Sequence, residues 1–218
     1  MIELTNVRAV YSRTIALDKV TLAIDPGVTG LFGPNGSGKS TLLRVIAGLH
    51  RPTLGNVSFD GTARQTNDES LRRRIGYAGH EPGLYGRLTV HENLELFAEL
   101  WGAQPSNVQV VLELIGLADR ARSRVDELSA GLKKRAAVAR AMVHEPDILL
   151  LDEPFATLDD DAADRLTEAI KAWRAPGRYA VVATHGAKRL KSFADASVVL
   201  RQGLVASDRS REPSEARP

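Results

Sequence analysis
The chain has 218 residues, 43% hydrophobic and 26% charged, the profile of a globular protein long enough to bury a full core. Its 29 basic and 27 acidic side chains leave a net charge of +2, which makes no case for a nucleic-acid partner, and the lack of cysteine excludes disulfides and thiolate metal sites. No apolar stretch approaches the ~20 residues that span a bilayer, and the N-terminus, carrying Glu3, alternates as a strand does rather than reading as a signal peptide.

Ile2 to Val7 and Val20 to Ile24 alternate apolar and polar residues, as half-buried strands do. The next run, Val28 to Phe32, is continuously apolar, the pattern of a parallel strand covered on both faces. Directly after it come Gly33, Pro34, Asn35, Gly36, Ser37, Gly38, Lys39, Ser40 and Thr41, the phosphate-binding pattern G-x-x-x-x-G-K-[ST] set between a strand and a helix. The glycines let the backbone wrap an anion with its N–H groups, and the helix beginning near Lys39 adds the positive end of its dipole. Lys39 is expected on the β- and γ-phosphates and the Ser40 hydroxyl on Mg²⁺. A nucleotide is expected here.

Val57 to Phe59 adds a third alternating strand before an Asp60-Gly61 turn. Residues 86–145 then change character and read as helical. Thr89 to Glu92 is a capping box, with Val90, Leu94, Phe97 and Trp101 on one face; Ser106 opens a second helix that Gly116 stops. Ser129 is typed as the N-cap of a third, giving either a second helix N-terminus for phosphate or an ordinary capped helix with a basic face.

Ile148 to Leu151 is another fully apolar run, and it delivers Asp152 and Glu153 at its C-terminal end, where open α/β sheets place their ligands. Asp152 is expected to hold Mg²⁺ and Glu153 to polarise the attacking water. A helix starting at Asp160 or Asp161 follows, then the apolar run Tyr179 to Ala183, then Thr184 and His185. Residues 207–218 show no apolar period and read as a disordered tail, leaving one domain over 1–206. The fold expected is an α/β P-loop core with a small antiparallel sheet and a helical insertion.

This set, in this order, resembles the ATP-binding subunit of ABC transporters over nearly the whole chain: phosphate loop, Leu128-Ser129-Ala130-Gly131, Asp152-Glu153, Leu158-Asp159, Thr184-His185. The resemblance implies a RecA-like P-loop core and a pair of ATPase subunits, identical or not, that sandwich two ATPs. In such a pair Ser129 and Gly131 contact ATP in trans, and Asp159 lies in a loop that crosses the dimer. It further implies Glu153 as the catalytic carboxylate, His185 as the γ-phosphate sensor and Tyr11 as the aromatic under adenine. A transmembrane permease would hold the ATPase at the cytoplasmic face of the membrane. Ala130 and Leu132 depart from the family's signature, and His80 stands where the family has a Gln, so it could accept a Mg²⁺-bound water only when neutral. The wording Gly-His-x-Pro-Gly is similar to haem-exporter ATPases of cytochrome c maturation and related small exporters. A soluble ABC ATPase acting on DNA or ribosomes is the alternative, although such proteins usually carry coiled coils, zinc cysteines or two cassettes in one chain.

Overall fold
The computed structural model describes residues 1–63 and 68–208. β1 (Ile2–Tyr11) and β2 (Thr14–Ile24) form a hairpin in which Tyr11 faces Thr14. β3 (Gly27–Phe32) runs into the phosphate loop and α1 (Lys39–Ala47), and β4 (Leu54–Phe59) and β5 (Thr62–Ala63) return to pair with β1. After α2 (Glu69–Arg73) and β6 (Ile75–Ala78) come the helices α3 (Val90–Trp101), α4 (Ser106–Ile115) and α5 (Ala130–Met142). The chain then alternates β7 (Ile148–Asp152), α6 (Asp160–Trp173), β8 (Tyr179–Thr184) and α7 (Ala187–Lys191), and ends in the hairpin β9 (Ala196–Arg201) and β10 (Leu204–Asp208).

Two sheets result. One is antiparallel, in the order β2-β1-β4-β5; the other runs β10-β9-β3-β8-β7-β6 and is parallel except at its β10 edge. The apolar runs now have their physical reason. Ile148 and Leu150 of β7 face a core shared with α1 and the antiparallel sheet, while Leu149 and Leu151 face a second core shared with α3 to α6. Successive side chains on a strand point to opposite faces, so a strand covered on both must be apolar at every position. Leu42, Leu43 and Ile46 press α1 onto its side of the sheet with no exposed surface, each contributing about 1.5–3 kcal/mol of burial.

The capping box is present at the start of α3: Thr89 Oγ1 accepts from the Glu92 N–H at 3.1 Å and Glu92 Oε2 from the Thr89 N–H at 2.8 Å. Gly116 closes α4 in the left-handed region. Two of the residues expected in the tail, Ser207 and Asp208, are instead strand, paired with Val199 and Val198 of β9. An edge strand needs only backbone partners on one side, so it tolerates the polar side chains that hid it in the sequence. Residues 209–218 lie outside the described residues.

Candidate active site
The parallel order puts the C-terminal ends of β3, β7 and β8 side by side, with Phe32 opposite Thr184 and Asp152 opposite Ala183. The phosphate loop leaves β3 through Gly33, where a Cβ would stand 2.3 Å from the Leu200 carbonyl, and enters α1 through Gly38 at φ +104°, where a Cβ would stand 2.6 Å from the Ala16 carbonyl. Glycine is therefore required at both ends of the turn. Gly38 caps α1 without any side-chain hydrogen bond, so the first N–H groups of the helix are left for an anion.

Lys39 is 5% exposed, and its Nζ donates to the carbonyls of Gly33 at 2.8 Å and Pro34 at 3.2 Å. These two residues cradle the ammonium from behind instead of lining the cleft. The same Nζ lies 3.8 Å from Oε1 of Glu153. Asp152 is 2% exposed, and neither of its carboxylate oxygens has a hydrogen-bond partner. A buried carboxylate with both oxygens unpaired is costly unless a cation completes it.

Glu153 follows with φ +49°, in the left-handed region that a non-glycine residue enters at a cost. Its N–H donates to the Ala183 carbonyl at 2.9 Å, which turns the side chain toward β8. There Oε2 accepts the Thr184 hydroxyl at 3.1 Å and meets His185 Nδ1 at 3.0 Å. The sequence names Thr184 only as the neighbour of His185 and gives it no role; a hydroxyl directly before His185 at a strand end is the signal that could have found one. Lys134 of α5 also enters the site, donating to the carbonyls of Gly79 and Asp152 at 3.3 Å each. Burial pushes its ammonium below the usual lysine range, against the pull of Asp152 and Glu153.

These groups line a cleft of about 720 Å³ that also takes in Asn35, Gly36, Ser37, Ser40, Thr41, His80 and, on the β2 side, Thr14, Ile15 and Ala16. Tyr11 does not line it. Its ring stacks on His50 at 4.4 Å and stays 39% exposed, on the far arm of the hairpin whose other arm forms the cleft wall. Ser129, Gly131 and Asp159 are brought together in a different concavity, of about 670 Å³, with Arg135 and Arg165 beside them. Ser129 Oγ accepts from the Leu132 N–H at 3.3 Å and Asp159 Oδ1 from the Ala162 N–H at 2.8 Å, so each caps its helix. One chain thus carries a phosphate cradle with carboxylates and, in an adjoining concavity that shares Thr157 with it, a second pair of helix N-termini.

The model of the ABC transporter family matches residues 17–156. The chain belongs to that family. An uncharacterized ABC transporter ATP-binding protein of Mycobacterium tuberculosis is 37% identical over 95% of this chain and 88% of its own length. The Nod factor export ATP-binding protein I of Cupriavidus metallidurans is 31% identical over 100% of this chain and 71% of its own. Among solved structures, the dimeric post-hydrolysis state of the ATP-binding cassette MJ0796 bound to ADP and Pi superposes with a TM-score of 0.89 at 30% identity, covering 98% of this chain and 100% of that one. The chain is accordingly an ATPase cassette with the P-loop fold of ABC proteins. Among the described residues, no helix is long and apolar enough to cross a membrane.

Proposed function
We propose that this ATPase powers an ABC membrane transporter, and that it does so as one of two subunits sharing two ATPs. The observation that carries the reading is that Ser129 and Gly131 open into a concavity beside the cleft rather than into it, with Ala130 between them on the cleft wall. A second copy, or a similar subunit, facing the first would bring its Ser129, Gly131 and the N-terminus of its α5 onto the γ-phosphate held by Lys39, with Asp159 at the crossing. The dimeric cassette among the solved structures supports this arrangement.

In the cleft, the N–H groups of Gly36, Gly38 and Lys39 would cradle the phosphates, and Lys39 would exchange its carbonyl partners for phosphate oxygens. Thr14 to Ala16 would flank the nucleoside, with Tyr11, backed by His50, extending that wall. Mg²⁺ takes one or two protein ligands plus phosphates and water. Asp152, with both oxygens unpaired, and Ser40 fit that role, and His80 lies in the same cleft. Bound there, Mg²⁺ would neutralise charge between the β- and γ-phosphates. Glu153 would orient the attacking water and take its proton, and His185 and Thr184 would hold the carboxylate in place.

A groove of about 510 Å³ between α1 and the helical insertion, walled by Leu49, Tyr77, Phe97, Trp101, Arg140 and His144, is the surface proposed for the permease. Leu49 on its wall is 65% exposed, an apolar side chain that a docked partner would cover. The chain would then sit peripherally at the cytoplasmic face. Relatives named for Nod factor export and linearmycin resistance favour export. The neighbouring reading frame tests the assignment: it is expected to encode a polytopic membrane protein that, co-expressed with this chain, forms a stable complex with stimulated ATPase, and neither binding nor stimulation would contradict it.

A further inference from the structure
Lys134 has no part in the scheme above, yet it is half-buried at the floor of the cleft and points its ammonium at backbone. Its two acceptors are not arbitrary. β6 and β7 are parallel neighbours with Ala78 opposite Leu151, so Gly79 and Asp152 stand next to each other at the strand ends. A carbonyl oxygen and the following N–H belong to one rigid peptide plane. The plane from Asp152 into Glu153 is therefore gripped at both edges: its oxygen by Lys134 and its N–H by the Ala183 carbonyl at 2.9 Å. That plane leads directly into the left-handed backbone of Glu153, a conformation that persists only where its surroundings enforce it. The second plane held by Lys134 leads from Gly79 into His80. Five residues before Lys134, on the same helix, Ser129 caps α5.

We propose that Lys134 is a positioning residue for hydrolysis, setting the backbone that aims Glu153 and fastening it to the helix that presents Ser129 to the opposite subunit. The proposal rests on the role given to Glu153 above. Through this one ammonium, a displacement of α5 caused by the other subunit's nucleotide reaches the carboxylate of its own site. The link runs within one chain and needs no contact between Lys134 and ATP.

The test is a double-mutant cycle on the full-length chain, reading single-turnover hydrolysis and ATP affinity for Lys134→Met, Glu153→Gln and the pair. Misaiming a catalytic group by an ångström costs on the order of 100-fold in rate. Lys134→Met should therefore lower turnover about 10–100-fold while leaving ATP affinity within about threefold, and should cause no further loss on top of Glu153→Gln. Unchanged turnover, or an equal loss in both backgrounds, overturns the proposal. Should the methionine variant not fold, Lys134→Gln is measured in the same cycle under the same criteria. Glu153→Gln hydrolysing at the parental rate is a separate result: it removes Glu153 from catalysis and takes this proposal with it.

Discussion

His185 Nδ1 lies 3.0 Å from Glu153 Oε2, although the histidine side chain is 63% exposed and the carboxylate only 18%. The pair joins the end of β8 to the end of β7 at the mouth of the cleft, and the Thr184 hydroxyl reinforces it from the same strand. In the mechanism proposed above, the exposed partner would follow a bound γ-phosphate while the enclosed one keeps its place, giving the carboxylate a fixed aim and the histidine freedom to sense.

The first prediction follows from that aim. Glu153→Gln keeps the phosphate cradle and the shape of the side chain but cannot take a proton from water. Turnover is expected to fall about 10²–10⁴-fold with ATP affinity retained. Steady-state hydrolysis alongside nucleotide titration checks this, and hydrolysis at the parental rate would remove Glu153 from the mechanism.

Lys39→Ala should act on binding itself, because in the proposed mode the ammonium would meet phosphate in the ground state. Losing a charge-assisted hydrogen bond of roughly 1.5–3 kcal/mol corresponds to about 10–100-fold in affinity. Calorimetric titration with ATP at fixed Mg²⁺ measures it. Unchanged affinity would take Lys39 out of the cradle.

The pH dependence of stability should carry the mark of His144. Burial, with Arg140 adding to it, pushes its imidazole from 6.5 down to about 4, although the bond to the Ile75 carbonyl pulls the other way. The folded-state value lies below the unfolded one, so between about pH 6.5 and 4 the unfolded chain binds a proton that the native protein refuses. Stability from this group is complete above pH 6.5 and is lost as the pH falls through that window, by up to about 3 kcal/mol. Urea unfolding of the parent and of His144→Gln at pH 7 and pH 4.5 should show the smaller loss in the variant; equal losses would contradict the assignment.

Much of this was legible in the chain, for reasons that differ by residue. Gly33 to Thr41 could be read because a phosphate loop needs glycine at fixed turns, and β7 because a strand buried on both faces must be apolar throughout. β6 and β10 escaped notice: four residues interrupted by Gly76 and Tyr77 show no period, and an edge such as β10 pairs through backbone alone. Tyr11 was expected at the base site from resemblance, but strand alternation and the nearness of His50 put its ring beside the cleft. Lys134 looked like part of a solvated basic run. Its partners are carbonyls 55 and 18 residues away, which no local pattern encodes.

The central claim is that each ATP needs two chains, and one measurement reaches it most directly. The mass of the Glu153→Gln chain in solution, with bound nucleotide counted, should be that of a monomer without ATP and that of a dimer holding two ATPs with MgATP. A monomer that binds ATP and stays a monomer, or a dimer indifferent to nucleotide, would contradict it.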